Sequence, residues 1–319
     1  MDILIIGGTR FLGKLFAERL IFSKEFNLTI LSRNPIVNQF ECETLNFEKK
    51  LGLEYLRGKY FSLVFDFLVY DEKDILDIKK NLNFSKYILI STTWIKKLNY
   101  SNSIDDLVID LDKKSITKLS STTKKYLLGK RSAENLLYKS YEEDKFHIIR
   151  LPIFFGEKDH TKRLSFYISR LLKNKPLIVI NSGINICQIA YVEDLANILY
   201  SFSKQHNQVK TILNALPHPG LSVIDFIKTI KKTLNSNSKL IFVRESLLRK
   251  KFPKYLDLDP LWKEEYIEKG ENNIFKFYNF QPTKTTDWIE KISKSLKNIS
   301  SYSNEPQLEE INFVKQIIH

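Results

Sequence analysis

Residues 3–20 leave few folds open to this chain. An unbroken apolar run, Ile3-Leu4-Ile5-Ile6, is followed by Gly7-Gly8-Thr9-Arg10-Phe11-Leu12-Gly13, and then by Phe11, Leu12, Leu15, Phe16 and Leu20 at helical spacing. A strand that is apolar on both faces needs cover on both, which parallel sheets receive from their crossover helices. A glycine turn leading straight into a helix suits a pyrophosphate. Gly7 permits the tight turn, Gly13 lets helix and strand pack closely, and the helix start offers N–H groups to the anion. Arginine stands at position 10, where a third glycine is usual. Any strand-to-helix turn can use glycine, so it is the position directly after a buried-looking strand that points to nucleotide binding.

The rest of the first half repeats this alternation. Runs at 2–6, 28–32, 61–68, 86–92 and 146–151 read as strands, and patterns at 11–23, 48–57, 72–82 and 121–141 as helices. The expectation is an α/β fold with a doubly wound parallel sheet, the Rossmann arrangement. Its dinucleotide-binding core spans 1–152, with further strands and helices from 186–215, and a smaller C-terminal α/β substrate lobe occupies most of 153–319. In that lobe helices are expected near 161–173, 192–204, 221–234 and 284–297, and strands near 177–180, 186–190, 211–214 and 239–243. Residues 98–120, with Asp105, Asp106, Asp110 and Asp112, read as a loop at the carboxyl edge of the sheet, where such folds bind substrate. The stretch from Ser300 reads as a docked helix or a frayed end.

Bulk properties narrow the class. At 319 residues the chain can bury a full core. Its two cysteines, Cys42 and Cys187, match no metal or redox spacing, which implies free thiols and a reducing compartment. No apolar run reaches the roughly 18 residues that span a bilayer, and no secretory pattern precedes the first strand, so a soluble cytoplasmic protein without a membrane partner is expected. The net charge of +13 comes from lysines scattered among Asn and Ile rather than gathered in a stripe, so nucleic acid is not the expected partner.

A tyrosine four residues before a lysine on a helix puts both on one face, where the ammonium can stabilise a phenolate. The spacing occurs four times, at Tyr55/Lys59, Tyr126/Lys130, Tyr141/Lys145 and Tyr200/Lys204. Context selects one. The strand Tyr87-Ile88-Leu89-Ile90 ends in Ser91-Thr92-Thr93, which puts hydroxyls at the carboxyl edge, and Tyr126 opens the next long helix.

With these residues the chain resembles the short-chain dehydrogenase/reductases, above all their extended or atypical branch, the NAD(P)-dependent epimerase/dehydratase family. The blocks Gly7–Gly13, Ser91–Thr93, Tyr126–Lys130 with Glu134, Arg150-Leu-Pro152-Ile-Phe-Phe155-Gly156 and Tyr191-Val-Glu-Asp194-Leu-Ala196 match in order, and Phe280-Gln-Pro282-Thr resembles the C-terminal segment. The resemblance implies Tyr126 as acid/base. Lys130 favours its phenolate and holds the nicotinamide ribose, and Thr93 hydrogen-bonds the reacting oxygen, with Thr92 as the neighbouring candidate for that role. A phenol near pKa 10 must move towards neutrality for this task. The resemblance also implies cofactor contacts from Gly7, Thr9, Arg10, Phe11, Leu12, Gly13, Arg33, Phe67, Pro152 and Ile153, and a homodimer formed through the Tyr126 helix. The second strand runs into Ser32-Arg33-Asn34 with no acid, so Arg33 and Arg10 favour the 2′-phosphate of NADP, with NAD the alternative.

Substrate polarity is less legible. Relatives that act on nucleotide-linked sugars commonly carry an asparagine where this chain has Ile153, and an Arg-Asp pair where it has Cys187-Gln188. Lys162 and Arg163 are candidates to grip a diphosphate, and Tyr191 is a further substrate candidate; His160 and the other histidines show no metal spacing. Three readings stay open. They are a reductase or epimerase of a nucleotide-linked sugar, the same chemistry on another small carbonyl compound, and a non-catalytic RNA-binding or assembly protein, since the glycine turn also resembles that of chloroplast stem-loop-binding proteins.

Overall fold

The computed structural model describes residues 1–34, 42–98, 121–159, 161–205, 210–217, 220–262, 272–297 and 308–318. They form two compact units. The first comprises Met1–Pro152, Val192–Pro217 and Glu268–Gln281, and the second Ile153–Tyr191, His218–Ile267 and Pro282–His319. The return to the first unit thus starts at Val192 rather than at 186, and a later segment joins it.

The first unit is a seven-stranded parallel sheet between helices. Its strands are β1 (Asp2–Ile6), β2 (Asn27–Ser32), β3 (Glu43–Asn46), β4 (Tyr60–Asp66), β5 (Asn83–Thr92), β6 (Phe146–Leu151) and a last strand, Ile212–Asn214. From one edge the order is Ile212–Asn214, β6, β5, β4, β1, β2, β3. The order reverses between β1 and β4, so the loops after those strands diverge and open a crevice at their carboxyl ends. On one sheet face Leu4, Ile6, Val64, Leu89 and Ile148 pack in one cluster with Leu53, Ile75, Ile78, Ala133 and Leu137 of the helices Lys49–Tyr55, Glu72–Asn81 and Ser121–Ser140. On the other, the Phe16 ring meets Phe65 edge-on at 4.7 Å and Phe65 meets Phe202 at 6.3 Å, joining the helices Phe11–Ser23 and Val192–Lys204 to the sheet. Arg19 ties those two helices together through Glu193 and Asn197.

The second unit is built from strand pairs and helices. Ile153–Phe155 pairs in parallel with Ile189–Tyr191, and Leu177–Ile180 with Leu240–Val243; Ile186–Cys187 pairs antiparallel with Leu221–Ser222. Its core is aromatic, with Phe155 stacked on Phe226 at 5.9 Å and Tyr191 on Trp288 at 5.9 Å.

Departures from the sequence reading have local causes. β3 escapes the pattern because Leu45 is its one buried residue, and backbone pairing with β2 makes it an edge strand. The strand expected at 186–190 is two, because Ile186–Cys187 and Ile189–Tyr191 have different partners. The helix expected from 161 begins at Ser165, after a turn in which Lys162 has φ +54° and Asp159 accepts from the Thr161 N–H. Glu245–Lys251, Tyr255–Leu258 and Ile274–Phe277 are helices of 7, 4 and 4 residues, too short to show a period. The stretch after Ser300 ends in a docked helix, Leu308–Ile318, whose Glu310 is buried. Most of the loop expected at 98–120, and His160, lie outside the described residues. No helix among the described residues is long and apolar enough to cross a membrane.

Candidate active site

The glycine turn follows β1 at the point where the strand order reverses. Gly7 has φ +92°, a conformation open to glycine and strained for other residues. A methyl group at Gly13 would lie 2.6 Å from the Gly7 carbonyl oxygen, so the helix approaches the turn as closely as it does because position 13 has no side chain. Arg10, at the N-cap, makes no side-chain hydrogen bond to the first helical turn. The cradle therefore has the shape and the polarity that a dinucleotide pyrophosphate requires.

The turn is joined to the end of β2. Thr9 and Ser32 share a hydroxyl hydrogen bond of 2.7 Å, and Arg10 donates to the Asn34 side chain at 3.4 Å. Arg33 lies in the same stretch, 3.6 Å from Glu48, with both side chains exposed. The Glu48 carboxylate is one the sequence reading missed, because it enters from beyond β3 rather than from the end of β2. Phe67 follows β4, its N–H donating to the Ile6 carbonyl and its ring 6.3 Å from Phe16. Phe11, at the first helical position, has φ +42°, and Leu12 after it is buried.

Only one of the four tyrosine–lysine pairs has a buried lysine. Lys130 is 4% exposed and donates to the Ile90 carbonyl at 2.9 Å, which brings its helix against the carboxyl end of β5. Burial pulls its ammonium down to about 8, against the opposing influence of Asp66 and Glu134. Tyr126, one turn earlier, is 37% exposed. By contrast, Lys204 is half exposed and pairs with Glu25, and Lys59 pairs with Glu43. Thr92 and Thr93 are buried at the end of β5: the Thr92 hydroxyl accepts from the Trp94 N–H, and Thr93 donates to the Leu151 carbonyl at 3.4 Å. Ser91, beside them and opposite Arg150 in register, has a buried hydroxyl with no hydrogen-bond partner among the described residues. Arg150 itself is buried against Glu134 through bonds of 3.2 and 2.6 Å, locking the Lys130 helix onto β6.

The glycine turn, the Arg33 stretch, Phe67, Thr92, Thr93, Tyr126, Lys130 and Pro152 all belong to the first unit. Ile153, Lys162, Arg163 and Tyr191 belong to the second. Lys162 and Arg163 are exposed in the turn before Ser165. Tyr191 is occupied within its own unit: its hydroxyl contacts both Glu157 oxygens at 2.9 and 3.1 Å and accepts from Lys291 at 3.0 Å. Burial pushes that phenol far above its usual range, against the pull of the Lys291 ammonium. A set missed entirely by sequence reading is Lys49, Asp66, Asp74 and Tyr87, a partly buried polar cluster under the loop after β4. Among the described residues no group of His, Cys, Asp and Glu is placed to hold a metal ion.

The model of the NAD dependent epimerase/dehydratase family matches residues 72–215. The chloroplast stem-loop binding protein of 41 kDa b from Arabidopsis thaliana is 27% identical over 233 residues, 66% of this chain and 57% of that protein, so the match spans little more than half the relative's length. Among solved structures, UDP-glucuronic acid 4-epimerase from Bacillus cereus in complex with NAD superposes with a TM-score of 0.67 at 16% identity, covering 94% of this chain and 100% of that one. Pal from Bacillus thuringiensis gives a TM-score of 0.65 at 17% identity over the same shares. At such identities these two likenesses establish the fold.

Proposed function

We propose, from the match of residues 72–215 to the NAD dependent epimerase/dehydratase family, that the chain is an enzyme exchanging a hydride between a nicotinamide cofactor and a carbonyl or carbinol carbon of a nucleotide-linked sugar. The observation that carries this reading is Lys130, a buried ammonium at the carboxyl edge of β5, on the helix of a half-exposed tyrosine and in the unit that holds the pyrophosphate cradle. A desolvated lysine with no catalytic duty would be an unexplained cost.

The bound nicotinamide would supply the two-electron exchange, and the chain's own residues handle the proton. Tyr126 passes a proton to or from the substrate oxygen, and the positive charge of Lys130 one turn away favours its phenolate. Thr93 orients that oxygen, with Thr92 as alternative. The glycine turn holds the pyrophosphate, and Arg10 and Arg33 favour the 2′-phosphate of NADP, although Glu48 competes with it for Arg33. An NADP preference favours net reduction over epimerisation, since cellular NADPH mainly serves reductive steps. The sugar-nucleotide class is supported by the fold's likeness to an epimerase solved with UDP-glucuronic acid.

Replacing Tyr126 with Phe is expected to abolish turnover of UDP-sugars, followed by nicotinamide absorbance, while NADPH binding persists; a fully active variant would overturn the assignment. Parallel titrations with NADPH and NADH test the cofactor choice, and a clear NADH preference would reverse it. A second reading, RNA binding without turnover, is favoured by the stem-loop-binding relative. Salt-sensitive RNA binding with no affinity for either nucleotide would establish it instead.

A further inference from the structure

The segment from Asp66 to Asp74 touches both halves of the candidate active site. At one end the Leu68 side chain fills the space beside Gly7, its Cγ only 2.8 Å from where a Cβ would stand. At the other the Tyr70 carbonyl oxygen would lie 2.1 Å from a Cβ at Gly129, the residue before Lys130, whose ammonium lies 6.0 Å from the Tyr70 ring centre. The segment is therefore wedged between the pyrophosphate turn and the Tyr126 helix.

Lys49, the first residue of the Lys49–Tyr55 helix, reaches under this wedge with its side chain mostly buried. Its Nζ lies 2.9 Å from Asp66 Oδ2 and donates to the Leu68 carbonyl at 2.7 Å and to Asp74 Oδ1 at 3.0 Å. The same carboxylates grip the segment's backbone: Asp66 Oδ1 accepts from the Leu68 N–H at 2.9 Å and Asp74 Oδ2 from the Tyr70 N–H at 2.7 Å. Tyr87 donates its hydroxyl to Asp66 at 2.8 Å and completes the cluster from β5. One ammonium thus joins both ends and the middle of the loop, with its Asp66 partner fully buried and its Asp74 partner partly so.

We propose that Lys49 is a positioning residue for the nicotinamide-dependent reaction, holding the Asp66–Asp74 segment as the spacer that sets the glycine turn against the Tyr126–Lys130 helix. The proposal rests on the hydride-transfer reading of that site. It also carries an electrostatic consequence. The charged groups acting on Lys130 are Asp66 on β4, Asp74 on the Glu72–Asn81 helix, Glu134 on its own helix and Lys49 itself. Removing the Lys49 charge takes away a repulsion and frees Asp66 to act on Lys130 alone, so the Lys130 ammonium should hold its proton to higher pH.

The test compares the full chain with Lys49→Met, Lys49→Gln and Lys49→Arg. In K49M, NADPH affinity read by fluorescence and kcat with a UDP-sugar should each fall by about tenfold to a hundredfold, as expected for a displacement of roughly 1 Å. The Lys130 titration, followed by NMR of its side-chain nitrogen, should move up by about one pH unit. K49R should restore both. K49Q, which keeps a donor without the charge, should retain part of the affinity yet titrate like K49M, and it serves if K49M does not fold. Equal behaviour of K49M and K49R, or an unmoved Lys130 titration in K49M and K49Q, would overturn the proposal. The titration needs no ligand, so a parent chain that binds no NADPH would refute the enzymatic reading while the role of Lys49 is still judged.

Discussion

Lys130 shows how much a single residue's surroundings change its chemistry. Its ammonium loses its proton at about 8 in the folded chain because burial strips it of water, against a usual lysine value of 10.5. Between those values the unfolded chain binds more protons than the folded one, so this group's contribution to stability rises with pH and its cost is greatest below pH 8. Lys130→Met removes the group and hence the rise. The variant's stability relative to the parent, measured by urea unfolding, is expected to fall by about 2 kcal/mol between pH 7 and pH 9.5. A difference independent of pH would show that Lys130 keeps an ordinary pKa. The four tyrosine–lysine pairs are identical as spacings. Burial separates them, and burial depends on the sheet edge that a helix meets.

At the scale of elements, glycines set how closely the parts of the first unit approach. Gly129 sits within the Ser121–Ser140 helix, where glycine costs about 1 kcal/mol relative to alanine, and it is tolerated because the Tyr70 carbonyl occupies the space a side chain would need. Gly129→Ala should therefore destabilise despite its better helix propensity, by about 1–3 kcal/mol in thermal or urea unfolding, since the obstructing atom is backbone. A neutral or stabilising substitution would mean that the loop after β4 does not press on this helix. The glycine turn itself was legible from sequence because its geometry is local. The Asp66–Asp74 wedge was not, for its parts come from β4, β5 and two helices, and Lys49 looks in the sequence like any other lysine of a surface helix.

For the whole molecule, the chain's path matters more than its composition. It leaves the first unit after Pro152, returns at Val192–Pro217 and Glu268–Gln281, and ends within the second. The last helix is held there by Arg170 and Glu310, whose side chains are 1% and 2% exposed and whose two bonds measure 2.9 and 2.6 Å. Glu310→Gln removes one charge of a buried pair and is expected to cost about 3–5 kcal/mol, whereas replacing both residues with apolar ones should recover most of the loss. Unfolding midpoints that match the parent in E310Q would show the helix to be undocked. The second unit's aromatic core around Trp288 and Phe226 gave little periodic signal, because short strands with changing partners alternate too briefly to be read.

By itself the sequence determined the parallel α/β sheet, the glycine turn and the order of the family's blocks, all of which are written in contiguous residues whose spacing follows from strand and helix geometry. Tertiary structure decided which lysine is buried, which carboxylate meets Arg33, that Tyr191 is spent on Glu157 and Lys291, and that Lys49 underlies the loop after β4. These outcomes depend on desolvation and on charges brought together from distant parts of the chain. A linear pattern holds the groups, and only the fold sets the distances and the dryness that give them their strength.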